Sequence, residues 1–441
     1  MEEEDFNDHT DSIPSIKSVF LTYDFSKLWL GQFISNTGSQ ITIIILPLFV
    51  YKYSKSYFWL TAITFAQFLP IILFSSMAGV FVDSYDRKHI MVISDCLNSV
   101  LILLIPVIMT VQRGLNQSLF YELVLVLVFF SSTVNRFFYP ARFASIPRLV
   151  TDEELGIAVS ITQTTRSIMS IVGPITGVLL VTLFNYRFGF LVDSMTFIFS
   201  ALMISLIKID LKPIKNSDNY TKKNPSLLLG AKKIWNIKTI RYVTIINTIA
   251  LISVSAINEF LVVFVKTTLK MSDIGFGTTI AITAGSAILT GMVISKLIPK
   301  IHRPILVLTS GILMSGITFL FFLITTKAWQ LYVLYFFLGI FNMMVNIPRT
   351  IIFLRDTTDN IRGQVMSAFN MVYSIDYILG LVYGLIFISI IGIRLLFFIN
   401  GVICTLIALC GAIYLLSIKN LDHTSVQISE IKQNATPEAE L

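Results

Sequence analysis

Charge is what this chain has least of. Only 13% of its 441 residues are Asp, Glu, Lys or Arg, against about 25% in an ordinary soluble domain. With 55% hydrophobic residues and a mean hydropathy of +0.78, that scarcity excludes a soluble globular protein and places the chain in a membrane. Cysteine is scarce too. Cys96, Cys404 and Cys410 fall inside apolar stretches, where a thiol packs as a small hydrophobe, so neither a disulfide framework nor a metal-ligand spacing can be built from them. The four histidines, His9, His89, His302 and His423, all lie outside the apolar centres, which excludes a buried histidine relay and leaves any proton work to carboxylates. No GxxxxGK[ST] phosphate loop, HExxH or GxSxG motif occurs, so neither direct ATP drive nor an enzyme is expected, and no cofactor or metal is implied.

What is present is a series of twelve apolar stretches. They lie at about 28–51, 58–82, 89–111, 118–138, 157–184, 188–207, 240–265, 273–298, 303–326, 330–352, 363–390 and 393–418, each near the roughly 20 residues that cross a bilayer. The start, MEEEDFNDHTDSIPS, lacks the basic flank and short apolar core of a cleavable signal, so the first span is expected to remain. Lys and Arg concentrate in the even-to-odd connections, above all from Lys208 through Lys222 and Lys233 to Arg241. The positive-inside rule then puts both termini in the cytoplasm of a cell-membrane protein. Basic loops facing anionic lipid also account for the net charge of +7 without nucleic acid. The expected division is a tail over 1–27, a six-helix bundle over 28–207, a basic linker over 208–239, a second bundle over 240–418 and a tail over 419–441.

The halves repeat. Shifting the second back by 207 positions aligns Arg142 with Arg349, Arg148 with Arg355, Asp152 with Asp359, Gly156 with Gly363, Gly173 with Gly380, Gly177 with Gly384 and Arg187 with Arg394. A six-span shift preserves orientation, so the repeat is parallel, and such repeats hold a midplane substrate site between rocking halves. Between spans two and three stands GVFVDSYDRKHI, with Gly79, Asp83, Asp86, Arg87 and Lys88; GMVISKLIPKIHR, from Gly291 to Arg303, is its weaker counterpart. The glycine is expected to let two helices approach closely, and Asp83 and Arg87 to make or break ion pairs as the halves move, a conformational latch. A solvated turn is the plainer alternative.

The latch loop resembles the major facilitator superfamily signature, close to GxxxDRxGRK, with Ser84 in place of the usual base and Asp86 in place of the usual glycine. PARFASIPRLVTDEELGIAVSITQ, followed by GPITG and FGFLVDSMTFIFSALMI, resembles the macrolide-efflux branch of the drug:proton antiporters, which also includes siderophore exporters. The resemblance implies an all-α membrane fold of twelve helices in two pseudo-symmetric halves. GPITG, with Gly173, Pro174 and Gly177, is similar to a shortened antiporter signature; physically it bends a helix and permits tight packing.

Few polar residues fall within the spans, and an ionised one costs about 2.5 to 3.5 kcal/mol on insertion scales, so each should face the interior. Asp376 stands near the midplane of span eleven, about 20 Å along it at 1.5 Å per residue. It is either a reversible proton carrier or a hydrogen-bonding strut between helices. Glu259 is a second proton candidate, or an outer residue paired with Lys266. Arg166 either pairs with a carboxylate or binds an anionic substrate group. Asp193 reads as an acid at a helix N-terminus, and Asp95 and Glu122 as wetted or paired groups near span ends. Asn36 and Gln40, with Ser39, and Asn342 with Asn346 either line a cavity or join helices.

These features together point to a proton-coupled, monomeric exporter of small amphiphilic molecules such as a macrolide, with the proton gradient as its energy source. An exporter of a siderophore or other endogenous metabolite, and a non-transporting membrane sensor or scaffold, are the alternatives. The topology is directly testable: Lys222→Cys and Asp359→Cys should be labelled only from the cytoplasm and Asn116→Cys only from outside, and outside labelling at position 222 would overturn the orientation.

Overall fold

A computed structural model describes residues 16–111, 114, 116–212, 227–297, 303–357 and 359–417. The expected C-terminal tail, most of the N-terminal tail, the centre of the linker and part of the GMVISKLIPKIHR loop lie outside the described residues. The helices are α1 (Ile16–Leu21), α2 (Tyr23–Ser54), α3 (Tyr57–Ser84), α4 (Arg87–Val111), α5 (Gln117–Leu149), α6 (Asp152–Leu183), α7 (Tyr186–Ser205), α8 (Leu227–Asn236), α9 (Lys238–Val263), α10 (Asp273–Leu297), α11 (Pro304–Leu320), α12 (Ala328–Arg355), α13 (Asp359–Ile391) and α14 (Ile393–Ser417). Twelve of them, α2–α7 and α9–α14, are long and apolar enough to cross a membrane.

The helices run further than the apolar stretches that mark them. Hydropathy ends the fourth span near residue 138, yet α5 continues through Arg142 and Arg148 to Leu149. The reason is that a helix satisfies its own backbone in water as well as in lipid, whereas hydropathy reports only the lipid-facing part. Side-chain caps set the starts. Asn185 Oδ1 accepts the Phe188 N–H at 2.9 Å to open α7, and Asp152, Glu153 and Glu154 fill the first turn of α6, where the helix dipole favours acids. Between α13 and α14 the chain turns through Gly392 at φ +77°, a conformation that glycine adopts without steric cost.

The same pairings build both halves. In the first, α2 packs on α6 and α7, α4 on α5 and α7, and α3 on α5; in the second, α9 packs on α13 and α14, α11 on α12 and α14, and α10 on α12. The main contacts between halves, α6 with α10 and α3 with α13, exchange under the same mapping. The repeated glycines make the close approaches. A Cβ on Gly173 would lie 2.2 Å from Gln40 Cβ and one on Gly177 3.2 Å from Ile41 Cα, both on α2. Gly380 and Gly384 press equally closely on Ser255 and Phe260 of α9.

The apolar cores reveal the conformation. At the end opposite the chain termini, Phe49, Tyr186, Phe260, Phe264, Phe322 and Phe397 belong to a single cluster that joins the two halves. At the termini end the core divides, one part around Phe25, Met91 and Ile204 and the other around Ile246, Phe353 and Phe369. Across the closed end Tyr57 meets Phe260 edge-on at 6.2 Å, and the Tyr186 hydroxyl donates to Asp273 Oδ2 at 2.8 Å. Lys266 completes that junction with an ion pair to Asp273, and Lys52 lies 4.9 Å from the Tyr186 ring. Nothing stands within 4 Å of a Cβ built on Gly79, Gly156, Gly285 or Gly291 toward the other end. The protein is therefore closed at one end and open toward its termini.

The Tyr186–Asp273–Lys266 junction should hold that closure. Val178, buried against Gly277 across the interface, serves as reporter. In a Val178→Cys protein, adding Asp273→Asn should raise the thiol labelling rate roughly threefold or more by favouring the opposite conformation; an unchanged rate would show that the apolar cluster alone keeps the end shut.

Candidate functional site

Each half encloses polar space facing the centre of the molecule. In the first, Ser39, Gln67, Asn135, Arg136, Tyr139 and Asp193 are among the residues around a cavity of about 220 Å³. In the second, Asn247, Asn258, Asn342, Asn346, Arg349 and Tyr373 are among those around one of about 180 Å³.

Hydrogen-bonded amides order the second cavity. Asn346 Nδ2 donates to Asn342 Oδ1 at 2.7 Å, and Arg349 donates to Asn346 Oδ1 at 2.5 Å and to Asn247 Oδ1 at 3.2 Å. The chain α12–α12–α9 holds the guanidinium with neutral partners only. The first half repeats the device, with Arg142 Nη1 donating to Gln32 Oε1 at 3.3 Å. Arg142 is 2% exposed and its Nε has no partner. Its guanidinium lies over the rings of Phe143 at 4.8 Å and Tyr139 at 5.6 Å. Arg166 approaches the same Tyr139 ring at 5.9 Å and is exposed; no ion pair joins it to a carboxylate among the described residues. Asn36 lies with Gln32 and Arg142 around a small gap between α2, α5 and α6. Gln40, in contrast, is the surface on which Gly173 of α6 packs. Pro174 lies between the two packing glycines of α6.

The acids occupy other ground. Asp376, near the middle of α13, is 3% exposed and its Oδ2 has no hydrogen-bond partner. Glu259 of α9 is 7% exposed with Oε1 unpartnered, and it lies beside Thr64 of α3 and near Tyr377 of α13. It does not pair with Lys266, whose ammonium is taken by Asp273. Tyr377 stacks on Phe68 of the other half at 4.1 Å; Glu259 reaches that half at Thr64, whereas Asp376, next to Tyr377 in sequence, turns to Thr248 of α9 in its own half. Asp193 stands two turns inside α7 and not at its start; it accepts a hydrogen bond from Thr42 and packs against Gly38 of α2. A helix N-terminus therefore does not explain it, and its role is to join α2 to α7. Asp95, also buried, adjoins Ser200.

The latch loop behaves differently from expectation in this conformation. Arg87 Nη1 donates to Ala144 O at 2.8 Å and Lys88 Nζ to Ile207 O at 2.7 Å, both within the first half. Asp86 Oδ1 accepts the Lys88 N–H at 2.8 Å and opens α4, while its other oxygen faces His89 at 3.0 Å. Asp83 is exposed, with no ion-pair partner among the described residues, and Gly79 meets no neighbour. Among the described residues, neither a close helix approach at Gly79 nor an ion pair from Asp83 or Arg87 across the termini end is made in this open arrangement.

Sequence reasoning singled out Arg166 but passed over Arg136, Arg142 and Arg349. The available signal was the aligned pair Arg142 and Arg349: Arg142 lies just beyond the apolar stretch 118–138, but Arg136 and Arg349 fall inside theirs.

A profile of the Major Facilitator Superfamily matches residues 28–375. Macrolide efflux protein A of Streptococcus pyogenes is 22% identical over 391 residues, 87% of this chain and 94% of that protein. Macrolide efflux protein A of Enterococcus faecalis is 24% identical over 57% of this chain and 76% of its own length. Among solved structures, a bacterial homologue of the lysosomal transporter Spinster, inward-facing and unoccupied, superposes with a TM-score of 0.70 at 12% identity, covering 94% of this chain and 98% of that one. A mutant of the nucleoside transporter NupG gives a TM-score of 0.65 at 14% identity, covering 90% of this chain and 99% of that one. At such identities the structures speak for the fold alone.

The latch geometry separates two substitutions. Arg87→Ala removes a charged hydrogen bond to a backbone carbonyl and should lower thermal stability in detergent by about 1 to 3 kcal/mol. Asp83→Asn should leave that stability unchanged yet slow transport, because its partner forms only when the termini end closes; wild-type flux in Asp83→Asn would reduce the residue to a solvated turn.

Proposed function

The chain belongs to the Major Facilitator Superfamily and is a multi-pass membrane transporter, and we propose that it exports small amphiphilic molecules by alternating access in exchange for protons. The export direction draws support from the relatives bearing the name macrolide efflux protein. In this reading both termini face the cytoplasm across the cell membrane, a single chain is the working unit, and the proton gradient is the only energy source.

The observation that carries the proton step is the state of Asp376 and Glu259. Both are buried, Glu259 beside Thr64 of the other half and Asp376 beside Thr248 of its own, each with one carboxyl oxygen unpartnered and no cation paired to it among the described residues. A carboxylate that is both ionised and dry is expensive, so such a group stays protonated while sealed and releases its proton when water reaches it. Rocking of the halves supplies that alternation. Asp376 is the better placed of the two. Its counterpart in the repeat is Met169, which accepts a hydrogen bond from Thr37, so the shared scaffold does not require an acid there.

Alternating access assigns the other elements their parts. The Tyr186–Asp273–Lys266 junction seals the outer face, the amide-lined cavities receive cargo from the open side, and the Asp83–Arg87 loop closes behind it.

Asp376→Asn keeps the shape and most hydrogen bonding of the acid but cannot exchange a proton. In proteoliposomes loaded with an amphiphilic dye, accumulation driven by a pH gradient should fall by about tenfold or more, with downhill equilibration retained. Uphill accumulation at the wild-type rate would remove Asp376 from the proton path and move the role to Glu259, which Glu259→Gln then tests in the same assay.

A further inference from the structure

The interior contains both arginines and acids and keeps them apart. Arg136 and Arg142 of α5 and Arg166 of α6 converge on Tyr139, whose ring lies 5.6 Å from the Arg142 guanidinium and 5.9 Å from that of Arg166. Arg136 and Arg142 each lie within electrostatic reach of Arg166. Among the described residues no ion pair involves any of the three. Of the buried acids of this half, Asp193 lines the same cavity as Arg136 but accepts from Thr42 and Thr196 and pairs with no arginine, and Asp95 adjoins Ser200.

Crowding three like charges together, one of them buried, is unfavourable unless something negative arrives. The surroundings hold these guanidiniums in place without discharging them. Gln32 Oε1 accepts from Arg142, Ser132 O accepts from Arg136 Nε at 3.3 Å, and Tyr139 and Phe143 offer ring faces. All these partners are neutral. One buried Arg142 nitrogen, Nε, has no partner at all. Planar, permanently charged donors held in this way suit a carboxylate, sulfonate or phosphate.

The repeat shows which part of the cluster is scaffold. Arg142 has its equivalent in Arg349, also held by an amide, Asn247. Arg136 and Arg166 have none: the aligned positions are Met343 and Tyr373. Two guanidiniums are thus added to one half alone, around a cavity that Arg136 and Tyr139 line.

We propose that Arg136, Arg142 and Arg166, gathered around Tyr139, seat an anionic group of the transported molecule, so that the cargo is an amphiphilic anion. This rests on the exporter reading and narrows its substrate class. Exposed Arg166 meets the anion first, Arg136 lies beside it on the cavity wall, and buried Arg142 fixes the positive field from behind. Outward movement of an anion and inward movement of a proton both carry positive charge inward, so an inside-negative membrane potential adds to the pH gradient as driving force.

The test compares two dyes that share a ring system, 8-anilinonaphthalene-1-sulfonate and the uncharged N-phenyl-1-naphthylamine. Binding to the full-length protein in nanodiscs is measured without any gradient, with empty nanodiscs subtracted. The sulfonate should bind about tenfold or more tightly than the amine, and Arg166→Gln and Arg136→Gln should each weaken the sulfonate about fivefold while leaving the amine within about twofold. Arg166→Lys, which keeps the charge, should retain most of the preference. Equal wild-type affinities, or a preference untouched by both Gln substitutions, would overturn the proposal. The wild-type comparison decides even if a variant fails to fold. A pH-gradient flux assay with the same dyes separates this proposal from the exporter reading. Sulfonate binding without driven movement of either dye would leave the anion site standing and remove the exporter, whereas driven movement of the amine alone would do the reverse.

Discussion

Everything functional in this protein depends on one apolar seal. Phe49, Tyr186, Phe260, Phe264 and their neighbours fuse the two halves at one end into a single core, while the other end keeps two cores. A cavity between halves has direction only because one end is shut, and the shut end is held by burial of apolar side chains that carry no information about cargo. Burial of that kind is non-directional and roughly proportional to area. The halves can therefore separate there and reunite at the opposite end with little change inside either one. The polar junction at Asp273 adds geometry to the seal, fixing which residues meet when the surfaces close.

Against that background the separation of internal charges acquires meaning. A fold that needed only stability would place Asp193 or Asp95 against Arg136 or Arg142, since unpaired buried charges cost several kcal/mol each. Here Asp193 serves helix packing through Thr42 and Gly38, and the arginines are steadied by an amide, a carbonyl and ring faces. On the anionic-cargo proposal, the guanidiniums left without a carboxylate are what an entering anion would meet. The helices themselves remain cohesive because their glycines, Gly173 and Gly177 against α2 and Gly380 and Gly384 against α9, bring backbones into contact independently of any charge.

Much of this was legible in the sequence. The twelve helices follow from apolar runs of bilayer length, and the parallel repeat from pairs such as Gly173 with Gly380, because hydrocarbon allows few alternatives to a closed helix. Asp376 announced itself as a lone acid deep in an apolar run. Arg142 did not, because hydropathy ends its span near residue 138 while α5 continues to Leu149, and Arg349, though inside its span, gained its meaning only from the amides that tertiary packing brings to it. Nor could the sequence reveal that Gln40 is a packing surface while its neighbour Asn36 adjoins a gap near Arg142: four residues along one helix, they meet different partners, and only tertiary packing decides which. The latch contacts are hidden from the sequence for a related reason: a sequence holds the contacts of every conformation at once, and one conformation displays only part of them.

The repeat finally explains how one scaffold can handle two ions. At three aligned positions the first half carries Arg136, Arg166 and Met169 and the second carries Met343, Tyr373 and Asp376. The backbone arrangement is shared, since the same helix pairs and the same glycines recur, so the difference lies in side chains alone. The additional arginines fall in one half and the buried acid Asp376 in the other. On the proposed exchange, an anion near Tyr139 and a proton at Asp376 sit in different halves and do not neutralise each other directly. Their coupling then runs through the closing motion itself: the halves can come together at low cost only when the charge in each half has been met.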